Sequence, residues 1–215
     1  MSNVRADITM SLDGYSAGPD ADLEDPLGKG GERMHEWALG AQSWRESHGL
    51  EGGERNVDSD IIAESVGATG AVVMGRKMFS GGSGAWEQDP QARGWWGDDP
   101  PFHAPVFVLT HHRREPVPME GGTTFNFVTD GIESAIEQAR AAAGEQDVLV
   151  AGGASAVQQA IAAGLLDELQ VHVAPVFLGG GVRLFDGIAA DVGLELARVV
   201  DSPKVTHLRY RVVRS

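Results

Sequence analysis

The 215-residue chain contains no cysteine. That absence excludes disulfides, thiolate metal sites and a cysteine nucleophile. Positive charge is also scarce: 17 Lys and Arg stand against 31 Asp and Glu, a formal net charge of −14. So acidic a chain does not suit nucleic acid or an anionic membrane surface, both of which call for clustered cations. No apolar run approaches the roughly 18 residues that cross a bilayer. The N-terminal Met-Ser-Asn-Val-Arg-Ala-Asp-Ile lacks the apolar stretch of a secretory signal. These absences fit a cytoplasmic protein. The histidines never fall in H-E-x-x-H spacing, so no metal site is expected. Internal repeats and dividing linkers are also missing, and the length predicts one domain over residues 1–215.

What the chain does contain is a parallel α/β pattern. Ala71–Met74, Val106–Thr110 and Val148–Ala151 are short continuous apolar runs, as expected of strands covered on both faces. Helical periodicity intervenes. Residues 57–66 place Val57, Ile61 and Ile62 on one side. Residues 131–143 repeat Ile132, Ala135, Ile136 and Ala139, with Asp130 and Glu133 spaced as an N-cap and its box partner. After residue 167 the period becomes two. Leu169, Val171 and Val173 alternate with polar neighbours, and Leu194–Val200 and Val205–Val213 flank a turn at Asp201-Ser202-Pro203-Lys204. This predicts a mixed, mostly parallel central sheet flanked by helices, with antiparallel strands added at the C-terminal end. Residues 18–56 and 80–104 read as irregular, and loops that long are often functional.

The scarce cations cluster where an anion would need them. Gly75-Arg76-Lys77 follows the first buried strand, His111-His112-Arg113-Arg114 follows the second, and Gly152-Gly153 follows the third and opens a helix. Ligands of open parallel sheets bind beyond the carboxyl ends of the strands. Helix N-termini hold anions through unpaired N–H groups and the helix dipole. Glycine lets a pyrophosphate approach the backbone, although a tight turn would equally call for it. Neither G-x-G-x-x-G nor a P-loop motif occurs, so the chain is neither an ordinary Rossmann protein nor a P-loop NTPase.

Four stretches together resemble the dihydrofolate reductase-like superfamily, and more closely its branch with the pyrimidine reductase of riboflavin biosynthesis (RibD C-terminal-like). They are Ser11-Leu12-Asp13-Gly14-Tyr15, Val72-Val73-Met74-Gly75-Arg76-Lys77, Val108-Leu109-Thr110-His111 and Val150-Ala151-Gly152-Gly153. Asp167-Glu168-Leu169 with Pro175, Leu178, Gly179 and Gly180 extends the pattern. The resemblance implies an NADPH-dependent reductase, similar to 5-amino-6-(5-phosphoribosylamino)uracil reductase, acting as a stand-alone homodimer. It implies that Gly75, Arg76 and Lys77 hold the cofactor's phosphates. Thr110 and His111 would line its adenosine end, and Gly152, Gly153, Ala154 and Ser155 its pyrophosphate. Asp13 would be the catalytic candidate, as a proton relay or hydrogen-bond anchor, with Ser11, Pro175 and Gly179 toward substrate. Met78 departs from the threonine that folate reductases carry two residues after the arginine, and the region Met34-His35-Glu36-Trp37 offers Glu36 for their acidic pterin anchor, after a longer preceding stretch.

Rival readings are a dihydrofolate or pterin reductase-like enzyme, a nucleotide-binding protein without turnover, and a serine hydrolase at Gly14-Tyr15-Ser16-Ala17-Gly18. The last needs a strand before Ser16 and a helix after it. Trp86, Trp95 and Trp96 either wall a substrate ring or pin the 80–104 loop to the core.

Overall fold

The computed structural model describes residues 2–89 and 92–213, so residues 90 and 91 of the irregular 80–104 stretch lie outside the described residues. Eleven strands are described: β1 (Val4–Ser11), β2 (Tyr15–Ala17), β3 (Thr69–Gly75), β4 (Pro105–Leu109), β5 (Val117–Pro118), β6 (Thr124–Val128), β7 (Asp147–Gly152), β8 (Glu168–Ala174), β9 (Val182–Arg183), β10 (Gly193–Asp201) and β11 (Thr206–Val213). Helices are α1 (Glu36–Leu39), α2 (Gln42–Ser47), α3 (Val57–Ala68), α4 (Arg76–Ser80), α5 (Gly131–Ala143) and α6 (Ala154–Ala162). Nine strands form one sheet in the order β10-β11-β8-β1-β7-β3-β4-β6-β5, and β2 pairs with β9 apart from it. The central pairs β8-β1-β7-β3-β4-β6 are parallel; β11 and β10 join antiparallel at one edge and β5 at the other.

The three apolar runs are the centre of this sheet, and both faces of each are covered. On one face Ala71, Val73, Val148 and Val150 pack beneath Ile132, Ala135, Ile136 and Ala139 of α5 and Val157, Ala160 and Ile161 of α6. On the other, Val72, Met74, Val106 and Val108 pack against Phe79 and Phe125. Each of these two phenylalanines is fully buried, worth about 1.5–3 kcal/mol relative to exposure. Gly164, at φ +65°, ends the α6 segment in a conformation that favours glycine.

Three local expectations differ from the structure. Asp130 stands at the α5 N-cap but makes no side-chain cap hydrogen bond, so the box with Glu133 does not form. The side-chain cap that does form is on α3, where Asn56 Oδ1 accepts from Ser59 N at 3.0 Å. In β8 the polar partners of the alternation, Gln170 and His172, are buried as well, because α1–α3 and the turn before them cover that face. In β10 the opposite occurs. Residues 194–199 are all exposed, since an edge strand with neither face covered has nothing to bury against.

Candidate functional site

Parallel register brings the strand ends together. Met74 pairs with Gly152 and Gly75 with Leu109, so β7, β3 and β4 finish side by side. The β1 and β8 strands end at the same edge, with Ser11 opposite Ala174. The carboxyl edge therefore carries residues 75–77, 110–114 and 152–155, and next to them the 11–14 and 175–180 turns.

The centre of this edge is bare backbone. A Cβ on Gly75 would lie 3.7 Å from Gly153 N, and a Cβ on Gly153 would meet nothing within 4 Å. Gly152 has φ +123°, outside the range comfortable for residues with side chains, and its peptide to Gly153 is cis. Behind it, Ile8 Cδ1 and Met78 Sδ lie 3.4 and 3.5 Å from where a Cβ would stand. Gly153 is the N-cap of α6, and its carbonyl accepts from Ala156 N and Val157 N. The N–H groups of Ala154 and Ser155 remain as first-turn donors without an intrahelical acceptor. Ser155 Oγ is occupied locally by Gln159 Nε2 at 3.0 Å. This glycine-walled cradle in front of a helix N-terminus fits a pyrophosphate.

The cations divide into two sets. Lys77, His111 and Arg113 are exposed on the rim. Arg76 is not: its side chain is 7% exposed, paired with Asp89 at 2.5 Å, hydrogen-bonded to Ser80 Oγ, and its guanidinium carbon lies 3.7 Å from the Trp86 ring centroid. Its charge is thus already engaged by a buried carboxylate. Arg114 flanks the same indole at 4.8 Å, and Trp86 Nε1 donates to His112 O at 3.0 Å. Trp96 packs on Phe102 and Phe125. Trp86 and Trp96 thus pin the loop to the core. Thr110 is buried, its hydroxyl oxygen accepting from His112 N at 3.1 Å, and its backbone N–H donates to Val128 O.

Asp13 is a hydrogen-bond anchor. Its carboxylate accepts from Ser11 Oγ at 2.6 Å, Gly179 N at 2.7 Å and Leu178 N at 3.2 Å. Those bonds, Ser11 first, pull its pKa down to about 2, which keeps the carboxylate ionised near neutrality. Ser11 is fully buried and also accepts from Tyr15 N. Gly179 (φ +71°) and Pro175 are exposed beside it. Met34 packs on Ala174, Val176 and Leu178, roofing this turn. Ser16 lies in β2, its hydroxyl 3.3 Å from Val182 O, and no helix follows, so no nucleophile elbow exists there. Glu36 is exposed at the start of α1. Among the described residues no cluster of His, Asp and Glu is arranged to hold a metal ion, and no helix is long and apolar enough to cross a membrane.

Two features escaped the sequence reading. Asp89 sits in a loop whose path no periodicity reveals. The other is a largely buried line of Asp58, His207, His172 and Asp7. Its only sequence signal is a histidine on each of two adjacent C-terminal strands.

The profile of the RibD C-terminal domain matches residues 2–208. No curated protein matches the sequence. Among solved structures, the chain is similar to a candidate riboflavin biosynthesis protein from Shewanella sp. PV-4, at 24% identity and TM-score 0.62, covering 100% of both chains. It is also similar to a pyrimidine reductase-like protein from Corynebacterium diphtheriae, at 14% identity and TM-score 0.57, covering 100% of this chain and 93% of that one. A diaminohydroxyphosphoribosylaminopyrimidine deaminase/5-amino-6-(5-phosphoribosylamino)uracil reductase from Thermotoga maritima matches at 16% identity and TM-score 0.58, with 99% of this chain spanning 57% of that one. Likeness at these identities is likeness of fold. With the family profile covering nearly all of its length, this chain belongs to the RibD C-terminal domain family.

Proposed function

We propose that the chain is an NADPH-dependent reductase that acts in the cytoplasm on a small heteroaromatic riboside, similar to 5-amino-6-(5-phosphoribosylamino)uracil reductase. Family membership supports a reductase of the riboflavin type. The observation that carries the cofactor is the cradle: three adjacent parallel strands end together at Gly75, Thr110 and Gly152-Gly153, against the N-terminus of α6.

The cofactor, when bound, supplies the hydride; the protein supplies binding, orientation and exclusion of water. Gly75, Gly152 and Gly153 admit the pyrophosphate, and the Ala154 and Ser155 N–H groups would donate to it. The α6 dipole adds about 0.3–1 kcal/mol at such a position. Lys77, His111 and Arg113 would select a ribose 2′-phosphate, with Thr110 at the adenosine end. Arg76 acts at one remove, holding Trp86 and the loop beneath these cations. Asp13 fixes the Leu178-Gly179 backbone, so that Ser11, Pro175 and Gly179 would shape the substrate end. A second reading, nucleotide binding without turnover, is favoured by Asp13 itself, whose acceptors are filled and which offers no proton. Pterin reduction has less support, because Glu36 is exposed. The bare apolar strand β10, with Leu194, Leu196 and Val199 exposed, supports a homodimer formed through the C-terminal strands.

Calorimetry with NADPH and NADH, followed by turnover with the aminouracil ribotide and dihydrofolate, tests this reading. Preference for NADPH and oxidation by the ribotide are expected. Tight NADPH binding without turnover would favour the second reading, and indifference to both cofactors would sink the first.

A further inference from the structure

Three buried titratable side chains, Asp58, His207 and His172, form a line on the α1–α3 face with the partly buried Asp7, apart from the cradle. Asp58, in the first turn of α3, has Oδ1 3.0 Å from His207 Nε2 of β11. His207 stands directly opposite His172 of β8, and the rings face each other through their Nδ1 atoms at 2.6 Å. His172 Nε2 in turn meets Asp7 Oδ1 on β1. His172, His207 and Asp58 are each no more than 4% exposed. Trp37 covers both rings, with centroids 4.6 and 5.1 Å away.

Counting protons along this line gives a definite answer. An ionised carboxylate only accepts, so each ring must donate outward from Nε2. Two neutral imidazoles would then have spent their only protons, leaving two lone pairs pointed at each other across 2.6 Å. A contact that short between nitrogens requires a hydrogen in it. Three contacts need three protons, one more than two neutral rings possess.

The surrounding charges agree. Asp58 and Glu64 face the pair from α3, Asp7 and Arg5 from β1, His35 from the turn before α1, Arg209 from β11 and Arg198 from β10. Glu64 pairs with both Arg198 and Arg209 at 2.7 Å, and Arg5 lies 3.6 Å from Asp7 and 3.5 Å from Asp147. Burial, and then the charge of His172, pushes His35 toward its neutral form. Asp58 and Asp7 are the carboxylates in direct contact with the rings, two negative charges that favour a proton held between them. Asp7 at the far end is held by Ser65 Oγ at 2.6 Å and Gln170 Nε2 at 3.3 Å.

We propose that His172 and His207 share one buried proton, which acts as a clasp fastening α3 and β11 to β1 and is upset when acid forces a second proton onto the pair. A second proton is refused: burial drives His207 below the usual imidazole range and the charge on His172 adds to this, against the pull of Asp58. The unfolded chain accepts that proton at about pH 6.5. Clasp stability is therefore lost as the pH falls below that value toward the lowered folded pKa. This loss involves one proton, at most about a tenfold change in the unfolding constant per pH unit.

The test is nitrogen NMR of the full chain labelled at histidine, together with urea unfolding at a series of pH values. The proposal expects both Nε2 atoms protonated near pH 6.5, a coupling between the two Nδ1 nitrogens through one shared proton, and a stability that falls on the acid side of that value. In the variant carrying Asp58→Asn and His207→Gln that fall should flatten. If that variant does not fold, the wild-type spectrum still decides. Unprotonated Nδ1 atoms on both rings, two rings titrating independently, or a wild-type stability that does not fall on the acid side would each overturn it.

Discussion

Replacing Arg76 by alanine separates two roles that its sequence position leaves entangled. The guanidinium lies against the Asp89 carboxylate, both side chains under 10% exposed, and stacks on Trp86. Removing it takes the cation away from Asp89 and Ser80 Oγ and empties the space over the indole. Breaking a buried pair from one side costs about 3–5 kcal/mol. For a chain of this size, each kcal/mol lowers the melting temperature by roughly 2–4 °C, so Arg76→Ala should melt roughly 6–20 °C below wild type. Scanning calorimetry measures this. The variant with Arg76→Met and Asp89→Leu, which removes both charges, should recover most of the loss. NADPH affinity, measured where Arg76→Ala is still folded, should fall no more than NADH affinity. A melting temperature within about 2 °C of wild type, with a selective loss of NADPH binding, would refute this reasoning and restore Arg76 as a direct phosphate ligand.

Lys77→Ala and Arg113→Ala should each weaken NADPH binding by roughly three- to tenfold while leaving NADH unchanged, an effect that shrinks as salt screens exposed charges; titration calorimetry at two ionic strengths reads it. Asp13→Asn turns an amide toward the Gly179 and Leu178 donors and should raise the substrate KM more than the cofactor Kd. Because the folded pKa of Asp13 is about 2, below its unfolded value, its contribution to stability is complete above the unfolded value and is lost only as pH falls toward the folded one. The activity profile should therefore show no acid limb from this group at pH 5–8, a range chosen to lie above the unfolded carboxylate value of about 3.9. If the proposed homodimer forms through β10, Leu196→Glu on this exposed edge strand should leave a monomer in light scattering without lowering the melting temperature.

Much of the sheet was legible because its centre is covered on both sides. Continuous apolar runs such as Ala71–Met74 have no other stable placement, and the α5 stripe of Ile132, Ala135, Ile136 and Ala139 marks which face lies beneath it. The edges were less legible. Leu194–Val200 alternates as a half-buried strand does, yet residues 194–199 are all exposed, because alternation records a pattern and carries no information about what packs there. The Asp130-Glu133 spacing likewise satisfies a capping pattern that its local geometry does not use.

The sequence alone determined that these strands run parallel, that glycines stand where two of them end, and that cations follow those ends. Each depends on residues near one another along the chain, where periodicity and backbone freedom act directly. Tertiary structure decided which of those cations face solvent. Arg76 and Lys77 are adjacent in sequence, but Asp89, thirteen residues beyond Arg76, takes one charge inward and leaves the other on the rim. It likewise decided that Asp7, Asp58, His172 and His207 would meet, since charges brought together from three parts of the chain interact through space and leave no pattern along it.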